Sequence, residues 1–315
     1  MLKLSIIIIS FNTKSLLKQC LESLYQNLGD MEHEIFMVDN NSSDESPIMV
    51  KESFPEVKLI ENTENVGFAK ANNQAIQKAR GQYLLLLNSD TIARPGAIDT
   101  MIQFMDRNPK VGALGAKLVD QNLVFQTSCR HFPTLFGMLV QFFGLSARFP
   151  TSRLFGWYDM GYWDHRETKK VDCVPGTSLL VRKETIREVG LLDENYFMYF
   201  EDTDCCYRIN QAGWEVVFLP DAEVIHVGGA SAAKSNRGLF YDRTLSKEFF
   251  RSLFYYFRKF HGALSVLVLK ILIPISLIIR MLKWAFAFMF CRIDQKEFAH
   301  KMKSFSRMIK FSLFP

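Results

Sequence analysis

The stretch of sequence that decides the fold covers residues 83–91 and reads Tyr83-Leu84-Leu85-Leu86-Leu87-Asn88-Ser89-Asp90-Thr91. Its apolar run, from Tyr83 to Leu87, follows Gly81 and is too short to cross a membrane. An unbroken apolar run of this length is typical of a strand buried on both faces of a parallel sheet. In open α/β sheets, ligands bind beyond the carboxyl ends of the strands. We therefore expect Asn88 and Asp90 to lie at a ligand site.

Strand and helix patterns alternate on both sides of this stretch. Apolar, β-branched runs predict strands over 4–9, 34–38, 57–60 and 111–119, and helical periodicity lies between them. Short connections between alternating elements predict an α/β fold with a doubly wound, mostly parallel sheet flanked by helices. Further along, residues 120–170 have no clear periodicity, and two short strands are expected at 216–219 and 224–225 around Pro220. The sequence contains neither GxGxxG after the first strand nor GxxxxGK[ST], which disfavours dinucleotide-binding and P-loop folds.

Charge divides the chain of 315 residues unevenly. Residues 1–246 contain 25 Lys+Arg against 30 Asp+Glu, whereas residues 247–315 contain 13 against 3. This asymmetry predicts a globular domain over 1–246 and a basic, apolar helical tail over 247–315. Such a tail favours an anionic membrane surface over nucleic acid as its partner.

The tail has the pattern of an amphipathic helix. Its apolar segment, 263–291, is interrupted by charges, and none of its 18-residue windows is free of charge, so a transmembrane helix is not favoured. At 100° per residue, the polar and basic side chains fall within an arc of about 60°. We expect this helix to lie in the membrane interface with a kink at Pro274. The alternatives are a true span, and an intramolecular helical cap or oligomer contact. The side chains in the arc are Arg258, Ser265, Ser276, Arg280 and Lys283.

The cysteines and the N-terminus favour the cytoplasm. The six cysteines form no CxxC pair, which predicts free thiols in a reducing compartment. The N-terminus runs directly into strand-like sequence without the pattern of a signal peptide.

Polar side chains follow several predicted strands and helices. Acids and amides at such positions suit the base and ribose of a nucleotide, and a hard cation beside Asp90 would suit its phosphates. A purely structural role is the alternative, because Asp39-Asn40 and Ser42-Ser43-Asp44 could form a turn and cap a helix. Likewise, Asn65-Val66-Gly67 could be only a helix entrance. The polar positions are Ser10, Asn12, Asp39, Asn40, Asn65, Asn88 and Asp90.

Two later positions could contribute to chemistry. Asp202 follows an aromatic run, 196–200, which would line a sugar pocket, and it either caps the next helix or accepts a proton from an attacking hydroxyl. His226 ends a predicted strand and precedes Gly228-Gly229. A lone histidine is usually structural, but glycines that permit close backbone approach favour a ligand role here.

In their order over residues 4–230, these segments resemble the inverting nucleotide-sugar glycosyltransferases of the GT-A fold. Within that group they resemble the rhamnosyltransferase-like branch that acts on bacterial cell-surface polysaccharides. The segments that carry the resemblance are 5–12, 38–42, 65–68, 72–73, 87–91, 174–176, 200–204, 213–214 and His226.

The resemblance implies a role for each site residue. Asp90 would be the metal-binding acid of a DxD-type motif, whose first position is here Asn88, and His226 would complete the metal or diphosphate site. The implied cofactor is a divalent cation, Mg²⁺ or Mn²⁺. Asp202 would be the general base, with Glu201 as the neighbouring candidate. Asp39 would contact the base or ribose. The full set implied for the donor nucleotide is Ser10, Asn12, Asp39, Asn65, Gly67, Asn88 and Ser89.

The implied activity is inverting transfer of a sugar from a nucleotide-sugar donor, with dTDP-rhamnose favoured, to a hydroxyl. With a membrane-bound tail, the acceptor would be a lipid-linked saccharide, and the enzyme would be peripheral at the cytoplasmic face of the bacterial membrane. One alternative is a catalytically silent scaffold of a polysaccharide assembly complex. The other is a sugar nucleotidyltransferase, which would need a basic, glycine-rich loop where Ser10-Phe11-Asn12-Thr13 stands.

Overall fold

The computed structural model describes residues 2–227, 247–290 and 294–315. Their contacts divide the chain into two compact units. The first unit contains residues 2–132, 164–197 and 201–227, and the second contains residues 133–163 and 198–200 together with the described tail. The predicted boundary at 246/247 lies outside the described residues and stays a prediction.

The first half of the sheet is parallel, as the alternating pattern predicts. Four parallel strands lie in the order β3-β2-β1-β4. The apolar side chains of β1, β2 and β4 are almost wholly buried, whereas those of β3, at the edge of the sheet, are half-buried. The strands are β1 (Leu4–Ser10), β2 (His33–Asp39), β3 (Lys58–Glu61) and β4 (Tyr83–Asn88), and the helices between them are α1 (Lys14–Asn27), α2 (Ser46–Ser53) and α3 (Phe68–Ile76).

Beyond β4 the sheet becomes mixed. One strand, β9 (Ser178–Arg182), lies between β4 and β6 (Val111–Val119) and runs antiparallel to both. The amino end of β9 therefore lies at the same edge as the carboxyl ends of β4 and β6. The order continues from β6 to β10 (Glu215–His226) and then to β5 (Thr91–Ala93). The remaining elements of this unit are α4 (Ala97–Arg107), β7 (Phe125–Gln126), β8 (Lys169–Lys170), α7 (Lys183–Val189) and α8 (Glu201–Gln211).

Strand β10 differs from the sequence prediction of two short strands. It is one continuous strand, and its pairing with β6 shifts register between Leu219 and Glu223. The irregularity accommodates Pro220, which has no N–H to donate to a neighbouring strand. The chain therefore reaches His226 without leaving the sheet.

The second unit is helical. Residues 120–170 were expected to be irregular, but they contain α5 (Leu135–Phe143) and α6 (Leu145–Arg148). The tail forms α9 (Lys247–Met289) and α10 (Gln295–Leu313). The break in α9 occurs at Gly262, whose φ is 80°, and the dihedral angles at Pro274 are helical, so α9 does not divide into two helices there. Glycine adopts this left-handed conformation without the penalty that a Cβ would cause.

The polar stripe of α9 packs inward, contrary to the orientation expected for an interfacial helix. The hydroxyls of Ser265 and Ser276 donate to carbonyls three residues earlier, and both side chains are buried. Arg280 donates to the carbonyl of Phe142 and stacks on the ring of Phe305. Helix α9 therefore exposes apolar side chains, among them Leu264, Leu267, Ile271, Ile275, Ile278 and Leu282.

Within the described residues, α9 is the one helix long and apolar enough to cross a membrane. Its most apolar window has a mean hydropathy of 2.5. Length and composition alone support this statement.

The five cysteines in the described part of the chain are free and buried, as predicted, and Cys291 lies outside it. Burial raises the pKa of Cys20 to about 12, and it raises the pKa of Cys206 well above its usual value. These thiols are therefore protonated at neutral pH and unreactive. The five are Cys20, Cys129, Cys173, Cys205 and Cys206.

Candidate active site

The register of the parallel strands brings three predicted site residues to one edge of the sheet. Ser10 pairs with Asp39 across β1 and β2, and Ile9 pairs with Asn88 across β1 and β4. The backbone N–H of Asn40 extends the β2 contact by donating to the carbonyl of Ser10 at 2.9 Å. The carboxyl ends of adjacent parallel strands meet at this edge, which is where a ligand is expected.

Among the described residues, only one of the two carboxylate oxygens of Asp39 has a hydrogen-bond partner. Its Oδ2 accepts from the N–H of Ser42 at 2.9 Å, whereas Oδ1 is buried and has no hydrogen-bond partner among the described residues. The residue is only 2% exposed. A buried acceptor left unpaired costs about 1–3 kcal/mol, so Oδ1 is in a position to receive a donor from a ligand.

Of the residues considered for capping in this loop, Asp44 accepts hydrogen bonds from the first residues of α1 and α2. Its Oδ2 accepts from the N–H of Lys14 at 2.7 Å, and its Oδ1 accepts from the N–H of Ser46 at 3.1 Å. Asn12 also has a structural contact, because its Oδ1 accepts from the N–H of Ser43 at 2.8 Å. Asp44 and Asn12 hold together the loops that follow β1 and β2, with Asp39 at their base.

The turn before α3 is built by Asn65 and Gly67. Oδ1 of Asn65 accepts from the N–H of Gly67 at 3.0 Å, so this side chain shapes the helix entrance, as the structural alternative proposed. Gly67 has a φ of 85°, and a Cβ there would lie 2.5 Å from the carbonyl oxygen of Phe197. That carbonyl accepts from the N–H of Phe68 at 2.7 Å. Only glycine fits this approach between the two chain segments.

The residues just after β4 are tied to the loop after β1. Thr13 donates to the hydroxyl of Ser89 at 3.0 Å, and it also contacts the hydroxyl of Ser10 at 2.9 Å. Beneath them, the carbonyl of Asn88 accepts from the hydroxyl of Thr91 at 2.7 Å. These bonds fix the backbone on both sides of Asp90.

Asp90 and His226 come together although they are far apart in sequence. Thr91 pairs with His226 across β5 and β10, and the N–H of Val227 donates to the carbonyl of Asp90 at 2.8 Å. Nε2 of His226 lies 3.5 Å from Oδ1 of Asp90. The glycines expected to assist this approach, Gly228 and Gly229, lie outside the described residues.

A third side chain contacts this pair and was not predicted from the sequence. Gln126 contacts His226 twice: its Oε1 lies 2.8 Å from Nδ1, and its Nε2 donates to the backbone carbonyl at 3.0 Å. Gln126 lies in the two-residue strand β7, which pairs with β6. A strand this short in an aperiodic segment leaves no sequence signal that could have identified it.

The donor set at Asp90 fits a hard divalent cation that is completed by a substrate. Within the described residues, no group of three or more His, Cys, Asp or Glu could hold a metal ion by itself. Mg²⁺ is commonly bound through only one or two carboxylates together with the phosphates of a substrate. A carboxylate and an imidazole facing each other across 3.5 Å match that requirement.

Asp202 is connected to the end of β4 by two hydrogen bonds, which are joined through the adjacent residues Gly176 and Thr177. The N–H of Asn88 donates to the carbonyl of Thr177 at 3.0 Å, and the N–H of Gly176 donates to Oδ2 of Asp202 at 2.9 Å. Because α8 begins at Glu201, Asp202 is in its first turn and is not its N-cap, which differs from the capping alternative. A carboxylate in the first turn interacts favourably with the helix dipole.

The neighbours of Asp202 are more deeply buried than it is. Glu201 is 6% exposed, whereas Asp202 is half-buried. The expectation that the aromatic run lines a pocket is wrong for Tyr196 and Phe200, which are buried. The hydroxyl of Tyr196 donates to Asp204, a carboxylate that also pairs with Arg208, so this part of the run stabilises the helix.

Family models match most of the chain. The model described as glycosyl transferase family 2 matches residues 5–159, and the model described as glycosyl transferase family group 2 matches residues 83–293. The chain belongs to the family 2 glycosyltransferases. The matched residues contain all the candidate positions from Ser10 to His226.

Relatives of this family 2 member include rhamnosyltransferases. N-acetylglucosaminyl-diphospho-decaprenol L-rhamnosyltransferase of Mycobacterium tuberculosis is 30% identical over 208 residues, which is 61% of this chain and 66% of the relative. Rhamnosyltransferase WbbL of Escherichia coli K12 is 26% identical over 247 residues, which is 75% of this chain and 86% of the relative. The chain thus spans just under two thirds of the length of the mycobacterial protein.

Solved structures confirm the fold of this glycosyltransferase family member. The mannosyltransferase PcManGT of Pyrobaculum calidifontis, in complex with GDP-Man and Mn²⁺, aligns with a TM-score of 0.57 at 16% identity. The alignment covers 99% of this chain and 86% of that one. At this identity the similarity shows the α/β architecture alone.

Proposed function

We propose that the protein is an inverting, metal-dependent glycosyltransferase, with rhamnose from dTDP-rhamnose as the favoured donor. It moves the sugar to a hydroxyl of a lipid-linked saccharide during the synthesis of cell-surface polysaccharide. The single observation that carries the proposal is the position of Asp202. Hydrogen bonds through Gly176 and Thr177 connect this carboxylate to the end of β4, where Asp90 faces His226.

Asp39 recognises the donor nucleotide. Its buried, unpaired Oδ1 accepts a hydrogen bond from the base or the ribose, while Oδ2 remains bound to the N–H of Ser42. Asn12, Asn65 and Gly67 act mainly by shaping the surrounding loops, as their backbone contacts indicate. Ser10, Asn88 and Ser89 form the floor beneath the nucleotide.

Asp90 and His226 would hold the divalent cation. When bound, Mg²⁺ or Mn²⁺ neutralises the charge that develops on the leaving diphosphate. The chain contributes one carboxylate and one imidazole, and Asn88 contributes no second charge. With one carboxylate fewer than a complete DxD motif, binding of the cation depends on the phosphates of the donor.

Asp202 acts as the general base and removes the proton of the acceptor hydroxyl. The hydrogen bond from Gly176 orients Oδ2, and the partial exposure of the carboxylate leaves it accessible to an acceptor. Attack on the face of the sugar opposite to the leaving diphosphate inverts the anomeric centre. The reacting carbon passes through an oxocarbenium-like state, as in glycoside hydrolysis. Glu201 remains the alternative base.

The tail and the relatives support the proposals of a lipid-linked acceptor and of a peripheral position at the membrane, for which we propose the cytoplasmic face. Helix α9 exposes a row of apolar side chains, and residues 247–315 are strongly basic. The name of the mycobacterial relative specifies an acceptor linked to decaprenol. An enzyme attached to the membrane diffuses in the same plane as a lipid-linked acceptor, and this favours membrane attachment of the protein.

The decisive experiment measures donor turnover by detergent-solubilised protein. dTDP-rhamnose, UDP-sugars and GDP-sugars are supplied with Mg²⁺, with Mn²⁺ or with EDTA, together with a decaprenyl-diphosphate-linked GlcNAc acceptor. We expect metal-dependent transfer, and NMR of the product should show an anomeric configuration opposite to that of the donor. Absence of turnover with every donor would favour the silent scaffold. Formation of a nucleotide sugar from a sugar phosphate would identify a nucleotidyltransferase.

A further inference from the structure

Gln126 is bonded to His226 in a way that determines where the proton of the imidazole lies. A backbone carbonyl can only accept hydrogen bonds, so the amide nitrogen of Gln126 must face the carbonyl of His226, 3.0 Å away. The amide oxygen therefore faces Nδ1 at 2.8 Å. Because that oxygen can only accept, Nδ1 must carry the hydrogen.

This assignment leaves the lone pair of the neutral ring on Nε2. Nε2 is the atom that lies 3.5 Å from Oδ1 of Asp90. A cation placed between Nε2 and Oδ1 would be attracted by both atoms and would offset their mutual repulsion.

The β6–β7 hairpin fixes the position of Gln126. Leu118 pairs with Gln126 in the antiparallel ladder, and Oγ of Ser128 donates to the carbonyl of Gln126 at 2.6 Å. The turn of the hairpin is closed by Asp120, which accepts from the N–H of Val124 at 2.9 Å. On its other side β6 pairs with β10, the strand that ends at His226.

We propose that Gln126 is a positioning residue that holds His226 in the tautomer with hydrogen on Nδ1 and thereby presents Nε2 to the cation shared with Asp90. The inference rests on the proposed function, since it assigns a supporting side chain to the proposed metal site. Partners of this kind orient metal-binding histidines, and their loss reduces metal affinity by about 10–100-fold.

The test compares Gln126→Leu, Gln126→Glu and the control Gln121→Leu. Leucine removes both contacts, whereas glutamate keeps an acceptor for Nδ1–H. Gln121 is exposed in the turn of the same hairpin, so its replacement makes the same chemical change away from His226. Circular dichroism and thermal unfolding verify that each variant folds.

Two readouts are independent of turnover. In metal-free protein with ¹⁵N-labelled histidine, two-bond ¹H–¹⁵N spectra identify the tautomer of His226, with His226→Asn used for assignment. Electron paramagnetic resonance measures the affinity for Mn²⁺, alone and with dTDP, UDP or GDP. We expect wild type, Gln121→Leu and Gln126→Glu to carry the hydrogen on Nδ1. Gln126→Leu should show a tautomer mixture and a Kd for Mn²⁺ raised about 10–100-fold.

The possible failures are distinguishable. If Gln126→Leu keeps the wild-type tautomer and the Kd for Mn²⁺ of the Gln121→Leu control, the role of Gln126 is overturned and the metal site stands. If wild-type protein binds no Mn²⁺ under any of these conditions, the metal-dependent function and the inference both fall.

Discussion

The backbone N–H of Gly176 donates a hydrogen bond of 2.9 Å to Oδ2 of Asp202. Gly176 belongs to the loop that leads into β9, and the next residue, Thr177, is bonded to the end of β4. One short loop therefore connects the helix that carries the proposed base with the strand that precedes the proposed metal ligand.

The first prediction concerns the choice of base. Asp202→Asn keeps an acceptor for the N–H of Gly176 but cannot take a proton, so we expect transfer to fall about 10²–10⁴-fold with unchanged binding of the donor nucleotide. Glu201→Gln is the matched variant and should lower kcat less than tenfold. Steady-state kinetics and nucleotide titration provide both values. Near-normal turnover by Asp202→Asn with a large loss in Glu201→Gln would move the role to Glu201.

The second prediction concerns recognition of the nucleotide by Asp39. In Asp39→Asn the amide oxygen can still accept from Ser42, which turns the –NH₂ group to the place of Oδ1 and replaces an acceptor with a donor. We expect the Kd for the nucleotide to rise about 10–100-fold, because hydrogen bonds to charged groups contribute about 1.5–3 kcal/mol. Calorimetric titration measures this change.

Asp44→Asn is the control for Asp39, because both oxygens of Asp44 are occupied within the protein. It should reduce the free energy of unfolding and leave the Kd for the nucleotide within about twofold, since none of its contacts is to a ligand. An equal rise in Kd in both variants would show that the loop acts only through its conformation.

The third prediction concerns the close approach at Gly67. Gly67→Ala brings a Cβ to 2.5 Å from the carbonyl oxygen of Phe197 at a φ of 85°, so backbone strain and a steric clash add together. Gly29→Ala provides the comparison, because its φ is 50° and no atom lies within 4 Å of the added Cβ. We expect Gly29→Ala to cost about 1 kcal/mol in urea unfolding and Gly67→Ala clearly more. Equal losses would mean that the Phe197 segment moves aside freely.

The fourth prediction concerns stability at low pH and depends on Glu34 at the opposite edge of the sheet. Burial of this carboxylate opposes its ionisation, but hydrogen bonds from Lys58, from the N–H of Arg80 and from Ser5 outweigh burial and hold its pKa below the usual 4.5. The side chain is 4% exposed. A depressed pKa contributes stability that is complete above pH 4.5 and is lost as the pH falls through the folded-state value.

Glu34→Gln should therefore be less stable than wild type by about 1–3 kcal/mol at pH 7, and the difference should vanish as the pH falls below 4.5. Urea unfolding at pH 7, pH 5 and pH 3 measures it. Glu61→Gln removes an exposed ion pair with Lys51 and should change stability by less than about 1 kcal/mol. A difference for Glu34→Gln that persists unchanged at pH 3 would contradict the assignment.

The fifth prediction concerns membrane attachment through α9. Ile271 and Ile278 are each about half exposed on its apolar side. Replacing both with serine should reduce co-sedimentation with anionic vesicles at least tenfold, because each buried CH₂ contributes about 0.8 kcal/mol. Ile48→Ser, on α2 of the first unit, is the control and should not affect sedimentation. Unchanged binding of the double variant, with complete release by salt, would assign attachment to the basic residues alone.

Much of the fold followed from local pattern. The apolar run at 83–87 predicted β4, and β-branched residues predicted β1, because strands buried on both faces need such sequences. The break of α9 did not follow, since the sequence pattern pointed to Pro274, whereas the backbone leaves helical dihedral angles at Gly262. The inward orientation of Ser265 and Arg280 was also hidden, because a polar stripe has the same periodicity whether it faces water or protein.

The candidate site was predictable to the extent that its residues end strands. Asp39 and Asp90 could be located from the sequence because each lies within three residues of the end of a recognisable apolar run. The contact of His226 with Asp90 was suggested only by family resemblance, since it depends on the pairing of β5 with β10. Gln126 could not be found, because its position results from a hairpin whose second strand has two residues.

Strand β9 lies beside β4 in the sheet but follows it by about 90 residues in the chain, and this separation has a consequence for the order in which the site is assembled during synthesis. The proposed nucleotide-binding residues all lie between Ser10 and Ser89, in a segment whose four strands form a contiguous parallel block. The proposed base arrives only after β9 has been made and inserted beside β4. A nascent chain that stops between these strands would have the proposed nucleotide contacts but no means of activating an acceptor. During synthesis on the ribosome, the proposed donor-binding residues would thus be present before the chain could transfer the sugar.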